Sequence, residues 1–208
     1  MGTLAVIAMT KNNQLFDNRE FWNRRYADDP GLGSGVGSRG ANLLHKKKVI
    51  EEFLQETTPA TVLDVGCGDH EVLRQVEHLP GYVGLDVSEV IVGRNRRLFP
   101  RRRFECLDFV RCADTEGLRA DVVLCMEVLI HQHRREQFDA LLRNIIAAAA
   151  RGGLISGYMF DPRPAIGSDI IAWHEPIMDA LMRSGARTVK VAARSLETDC
   201  LAFVSFAK

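Results

Sequence analysis

Residues 61–69, TVLDVGCGD, form the stretch that decides the fold. Its apolar residues predict a buried strand, and Gly66 and Gly68 predict a tight turn that leads into a helix. A strand, a glycine turn and a helix make up the first unit of a doubly wound α/β sheet, whose ligands bind at the carboxyl ends of the strands. The segment therefore predicts both the fold class and the position of a ligand site.

The rest of the chain alternates short apolar runs with longer amphipathic ones, a pattern typical of strands joined by helices. After a first strand over 61–65, we expect strands near 82–86, 103–106, 121–126 and 153–159. Helices are expected near 18–26, 43–54, 70–78, 88–98, 134–150 and 169–184. Two final runs, 188–193 and 200–206, are separated by a polar turn and should pair antiparallel at one edge. We predict a Rossmann-like, doubly wound sheet of seven strands, mostly parallel, with a C-terminal antiparallel strand.

Length and composition are typical of a single globular domain. The 208 residues are 46% hydrophobic and 26% charged, which is ordinary for a folded protein. We expect one domain over residues 18–208 and an N-terminal tail or lid over residues 1–17. We expect the basic triplet at 46–48 to be the solvated end of a helix.

Charge and cysteine usage bear on partners and compartment. Lys plus Arg and Asp plus Glu both number 27, so no positive field favours a nucleic-acid partner. No run approaches the ~18 apolar residues of a membrane span, so no membrane partner is expected. The five cysteines contain no CxxC pair, which indicates reduced thiols and a cytoplasmic protein. We expect a monomer or a homodimer that acts on a small-molecule acceptor.

Acidic side chains lie at or near the carboxyl ends of three of the predicted strands. Asp64 precedes the glycine turn, where a carboxylate would attract an ammonium group and repel a pyrophosphate, which argues against a nicotinamide-linked reductase. Asp86 ends the second strand about twenty residues later, a position from which a carboxylate accepts both hydroxyls of a ribose. Asp108 ends the third strand and is placed to meet an adenine amino group, with Phe109 against the ring.

These segments resemble the motifs of class I S-adenosylmethionine-dependent methyltransferases of the small-substrate O-methyltransferase type, from about residue 21 to the C-terminus. The resemblance implies S-adenosylmethionine as cofactor and S-adenosylhomocysteine as product. It also implies the cofactor-binding residues, which are Asp64, Gly66, Cys67 and Gly68 on the methionine side, Asp86 and Val87 at the ribose, Asp108 and Phe109 at the adenine, and Met126 over the cofactor.

Residues 21–40 are similar to the entry segment of small-substrate methyltransferases, where such a loop closes over the cofactor. Arg39 would then pair with the methionine carboxylate, since a guanidinium offers two parallel donors. The alternative is a surface arginine in a flexible, glycine-rich loop.

Methyl transfer to a hydroxyl needs an aligned acceptor and a base that removes its proton. His131 follows the fourth strand and is our first candidate for that base, with His133 and His174 after it. Glu127 lies one helical turn before His131 and is a further catalytic candidate. The leading hypothesis is O-methylation of a small-molecule hydroxyl, on a sugar or a secondary metabolite.

Two alternatives remain open. Residues 127–131 resemble the Glu-x-x-Glu-His metal site of some methyltransferases that act on RNA 3′ ends or quinone precursors, although Ile130 replaces the second glutamate. A divalent-metal-assisted O-methyltransferase that uses Glu127 and His131 is therefore a weaker hypothesis. The other alternative is a non-catalytic nucleoside-binding module.

Overall fold

The computed structural model describes residues 16–166 and 173–208. The described residues form one sheet of seven strands: β1 (Val62–Val65), β2 (Tyr82–Asp86), β3 (Arg103–Cys106), β4 (Ala120–Cys125), β5 (Ala149–Tyr158), β6 (Thr188–Arg194) and β7 (Leu201–Ala207). Their order across the sheet is β3-β2-β1-β4-β5-β7-β6. This confirms the predicted seven-stranded fold.

Strands β1 to β5 pair in parallel with one another, while β7 is antiparallel to both β5 and β6. The chain builds the sheet outward from β1 to β3 and then returns to place β4 on the other side of β1. Such a reversal opens a crevice at the carboxyl ends of the two central strands. All four residues of β1 are buried, as expected for a parallel strand covered on both faces.

Helices cover both faces of the sheet. They are α1 (Asn18–Asp28), α2 (Gly40–Thr57), α3 (Glu89–Leu98), α4 (Arg135–Ala148), α5 (Arg163–Ile166) and α6 (Ile177–Arg183). Apolar residues of α2 and α3 pack in one core cluster, and those of α4 and α6 pack in another on the opposite face. Among the described residues, no helix has the length and apolar character to cross a bilayer.

The helix predicted near 70–78 was wrong. The structure has only one 3₁₀ turn there, Leu73–Gln75. His70 adopts a left-handed backbone (φ 63°), which an α-helix cannot accommodate, and its side chain is buried. Local apolar spacing suggested a helix, but the same apolar side chains reach the core from a loop.

The helix predicted near 169–184 begins later than expected among the described residues. Helix α6 starts at Ile177, directly after Pro176, which lacks a backbone donor and disfavours helical backbone in the residue before it. Residues 167–172, which that prediction included, lie outside the described residues, as do residues 1–15 of the predicted tail. The division into a tail and one domain stays a prediction.

Candidate active site

A cavity of about 530 Å³ opens at the carboxyl ends of strands β1 to β4. Asp64, Asp86 and Asp108 all line it, so the structure brings the three strand-end acids into one space. Helix α1 and the turn after β4 supply the other walls of the cavity. The parallel strands explain this convergence, because their carboxyl ends meet at the same edge of the sheet.

The turn after β1 requires glycine at two positions. Gly66 and Gly68 have φ values of 77° and 51°, which residues with a Cβ rarely adopt. A Cβ on Gly66 would lie 2.2 Å from Cγ2 of Val128, and a Cβ on Gly68 would lie 2.2 Å from Oγ of Ser34. Neither position therefore has room for a side chain, and both glycines line the cavity with their backbone.

Asp86 is a buried carboxylate held by the backbone. Its two oxygens accept hydrogen bonds from the backbone N–H of Gly68 at 3.0 Å and of Ser88 at 2.9 Å. Burial raises the pKa of Asp86 to about 6, although these hydrogen bonds act in the opposite direction. Each oxygen keeps a lone pair that can accept a ligand hydroxyl.

Asp64 is also buried, and it accepts a hydrogen bond from the hydroxyl of Tyr82 at 2.8 Å. Burial raises the pKa of Asp64 to about 7; the Tyr82 bond lowers it, and the nearby charge of Asp86 raises it further. A ligand that carries positive charge would stabilise the ionised form of this carboxylate. The two acids thus form a site suited to a cationic ligand.

Residues after β3 and β4 complete the lining. Asp108 accepts a hydrogen bond from the backbone N–H of Val110 at 3.1 Å, and its Oδ2 lies 3.4 Å from Nε of Arg111. Phe109 is buried, and Asn144 donates to its carbonyl at 2.7 Å. The remaining predicted cofactor residues that line the cavity are Cys67, Val87 and Met126.

The glycine-rich loop before α2 is fastened to the glycine turn through Asp69. Asp69 accepts hydrogen bonds from Arg39 at 2.6 Å and from the backbone N–H of Ser34 at 2.9 Å. Burial alone would raise the pKa of Asp69, but these bonds outweigh it and lower the pKa. Arg39 thus meets a protein carboxylate and is not among the cavity-lining residues, so its pairing with the methionine carboxylate stays a prediction. Sequence reasoning did not assign this role to Asp69.

His131 is the one of the three predicted histidines that lines the cavity. It ends the 3₁₀ turn Leu129–His131, and its ring lies edge-on to Trp22 with centroids 5.3 Å apart. The surrounding protein and the nearby positive charges lower its pKa to about 4. The imidazole is therefore neutral at pH 7, so one of its ring nitrogens carries a lone pair, and the residue is exposed to solvent.

The other two histidines do not line the cavity, although His133 is near enough for its charge to lower the pKa of His131. His133 stacks on Phe16 with ring centroids 3.9 Å apart, and burial lowers its pKa. His174 lies 3.5 Å from Asp161, after β5. Neither is among the residues that line the cavity, so the structure does not bring the three histidines together.

The family model described as "Methyltransferase domain" matches residues 42–184, more than half of the chain. The chain belongs to this methyltransferase family. The search of curated proteins found no sequence that matches this chain.

Solved structures share the fold of the methyltransferase. Magnesium protoporphyrin IX methyltransferase from Synechocystis PCC 6803 with bound SAM is 18% identical, with 95% of this chain and 100% of that chain covered and a TM-score of 0.67. The N-methyltransferase NodS from Bradyrhizobium japonicum WM9 in complex with S-adenosyl-L-homocysteine is 17% identical, with coverage of 92% and 99% and a TM-score of 0.69. The chain is thus a class I, S-adenosylmethionine-dependent methyltransferase.

The cofactor suits the chemistry of the cavity. S-adenosylmethionine carries a sulfonium and an ammonium, and the cavity holds two buried carboxylates whose pKa values are raised mainly by desolvation. Its ribose offers two hydroxyls to an acceptor such as Asp86. The residues present therefore fit the group.

Glu127 of the methyltransferase lines the cavity and forms an ion pair with a buried lysine, which sequence reasoning missed. Its Oε1 lies 2.5 Å from Nζ of Lys46, and Lys46 is only 3% exposed, so the expectation of a solvated basic triplet was wrong at this residue. Glu127 has a left-handed backbone (φ 58°), and its backbone N–H donates to Ser156 at 2.5 Å. The sequence signal for the burial of Lys46 is the apolar spacing of α2, which places position 46 on the inner face of the helix.

The residues around Glu127 do not fit the metal site that the Glu-x-x-Glu-His resemblance suggested. The Lys46 ammonium already neutralises the Glu127 carboxylate, and a cation beside it would be repelled. Within residues 16–166 and 173–208, no group of three or more His, Cys, Asp or Glu side chains is arranged to hold a metal ion. No step of the reaction below uses a metal.

Proposed function

We propose that this methyltransferase methylates a hydroxyl of a small molecule, of the sugar or secondary-metabolite class, with His131 as general base. The observation that carries the proposal is the position of His131, a neutral imidazole in the wall of the cofactor cavity. Methylation of a nitrogen needs only positioning of its lone pair, whereas an alcohol must lose a proton.

In the proposed arrangement the cofactor lies along the ends of β1 to β4. The ammonium of the methionine moiety pairs with Asp64, and the two ribose hydroxyls donate to Asp86. Asp108 accepts from the adenine amino group, and Phe109 and Met126 border the ring and the sulfur. His131 and Trp22, which also line the cavity, would then border the acceptor.

The reaction is an in-line displacement at the methyl carbon. Bound S-adenosylmethionine would supply that carbon as the electrophile for the acceptor oxygen, with the neutral thioether of S-adenosylhomocysteine as the leaving group. The hydroxyl proton moves to the imidazole of His131, which later releases it to water. A pKa of about 4 is sufficient, because a hydroxyl whose oxygen is being alkylated becomes a far stronger acid than imidazolium.

The proposal is tested with hydroxylated and amine metabolites incubated with methyl-labelled cofactor, followed by kinetics of the best acceptor. His131→Asn should lower kcat by about 10²- to 10⁴-fold, the usual contribution of a general base, while cofactor affinity changes less than twofold. His78→Asn is the matched control, since His78 is exposed and does not line the cavity, and its kcat should stay near the wild-type value.

Two results would overturn the proposal. Labelling of amines alone would make the enzyme an N-methyltransferase. Loss of cofactor affinity in His131→Asn as large as the loss of kcat would make His131 a cofactor or structural residue.

A further inference from the structure

A row of four polar side chains leads from the cofactor cavity toward the protein surface. The hydroxyl of Tyr82 lies 2.8 Å from Oδ2 of Asp64 and 3.2 Å from Nδ1 of His70. The other ring nitrogen of His70, Nε2, contacts the guanidinium of Arg102. Asp64, Tyr82 and His70 are buried, and Arg102 is partly exposed.

The chemistry of the groups determines the direction of every hydrogen bond in this row. A guanidinium can only donate, so Nε2 of His70 must present its lone pair to Arg102. Burial and the charge of Arg102 lower the pKa of His70 to about 3, so the ring is neutral and its proton lies on Nδ1. Nδ1–H then donates to the oxygen of Tyr82, and the Tyr82 O–H donates to Asp64.

We propose that Arg102, His70 and Tyr82 form a positioning relay that holds the Asp64 carboxylate ionised and aimed at the ammonium of the cofactor. The relay rests on the proposed role of Asp64 toward that ammonium. Hydrogen bonds that all point the same way polarise one another, and here the positive charge of Arg102 lies at the donor end and the carboxylate at the acceptor end. The relay therefore opposes the desolvation of a carboxylate that has no protein cation beside it.

The backbone of His70 supports a role beyond filling space. It has a φ of 63°, a conformation that costs energy for any residue with a Cβ. Three aromatic rings, those of Tyr82, Phe99 and Phe104, surround the imidazole at centroid distances of 5.0, 4.9 and 5.2 Å. An apolar side chain would suit such a pocket without needing Arg102, so the polar contacts at both ring nitrogens account for a histidine here.

The experiment measures S-adenosylmethionine binding to the full chain by calorimetry between pH 6 and 9, which needs no acceptor. Tyr82→Phe removes the donor to Asp64 and should weaken binding about tenfold at pH 7.5. It should also shift the pH below which affinity falls to a higher value, because the carboxyl takes up a proton more readily. Arg102→Met should change affinity and pH profile in the same direction by a smaller amount.

Controls separate the relay from other causes. Tyr158→Phe alters another buried tyrosine, on β5, and should leave binding unchanged at every pH. Several other titratable or charged groups face the relay, namely Cys67, Asp69, Arg74, Asp86 and Cys125. Because Asp86 is itself a buried acid of the cavity, the pH profile is compared with that of Asp86→Asn.

Asp64→Asn distinguishes the two levels of the argument. If this variant binds the cofactor as tightly as wild type, the proposed role of Asp64 fails, and the relay fails with it. If Asp64→Asn weakens binding while Tyr82→Phe and Arg102→Met keep the wild-type affinity and pH profile, the relay alone is wrong.

Discussion

Replacement of Asp86 by asparagine tests the ribose contact, and the structure allows its effects on binding and on stability to be separated. The proposed cofactor pose gives this carboxylate two hydroxyl donors. A hydrogen bond to a charged group contributes about 1.5–3 kcal/mol, and the amide keeps only one acceptor oxygen and no charge. A loss of about 3 kcal/mol corresponds to an affinity roughly 100-fold lower.

The effect on folding should be small because two contributions oppose each other. Since the folded-state pKa of Asp86 is raised to about 6 from an ordinary 3.8, keeping this group ionised at pH 8 costs the folded apoprotein about 3 kcal/mol. This cost is present above the folded pKa and disappears as pH falls toward the unfolded value. Asparagine removes the cost, but its NH₂ then faces a backbone N–H of Gly68 or Ser88, a mismatch of about 1–3 kcal/mol.

The assay is calorimetric titration with S-adenosylhomocysteine at pH 8, together with urea unfolding of the apoprotein. We expect the dissociation constant of Asp86→Asn to rise roughly 100-fold while the free energy of unfolding stays within about 2 kcal/mol of wild type. Asp179→Asn, an exposed acid on α6, serves as the control with no expected effect. A dissociation constant within threefold of wild type would refute the placement of the ribose at Asp86.

Three further predictions follow from the same contacts. Cofactor affinity should fall as pH is lowered from 8 to 5.5. The buried carboxyls of Asp64 and Asp86, with pKa values of about 7 and about 6, take up protons in this range and lose their attraction for the ligand. A flat profile in calorimetric titrations across this range would show that these acids are not involved. Gly68→Ala should lower the free energy of unfolding by about 2 kcal/mol or more, because its Cβ would lie 2.2 Å from Oγ of Ser34 at a φ of 51°. Gly117→Ala is the control. A Cβ there would have no atom within 4 Å, so the same denaturation experiment should show no change. Lys46→Met should destabilise the protein by about 1–3 kcal/mol, because the carboxylate of Glu127 loses its cation. Adding Glu127→Gln should restore most of the loss. Equal stability of the single variant and wild type in urea unfolding would contradict a structural ion pair.

Some elements were predictable because their signals are local. Strands 82–86 and 103–106 have the predicted bounds, since each is a short segment between clear breaks in the pattern. The helix expected near 70–78 failed for the opposite reason, because its apolar spacing was helical and the obstacle, the burial of His70 among aromatic rings from β2 and β3, is tertiary. Nothing in the local pattern distinguishes these cases.

In the candidate site, too, some features could be predicted from the sequence and others could not. Asp64, Asp86 and Asp108 could be placed together in advance, because parallel strands that each end in an acid bring those acids to one edge. The partners of the site residues could not be foreseen. Arg39 faces Asp69, Lys46 faces Glu127, and each pair joins segments that are far apart along the chain.

The amino-acid sequence by itself determined the alternation of strands and helices, and with it the parallel sheet and the edge at which its acids gather, since hydrophobic period and glycine turns act over a few residues. Only the tertiary structure decided which polar side chains meet, which carboxyl is desolvated, and which histidine faces the cavity. These properties depend on distances between segments remote in sequence, and the strength of charges and hydrogen bonds depends on those distances and on the exclusion of water.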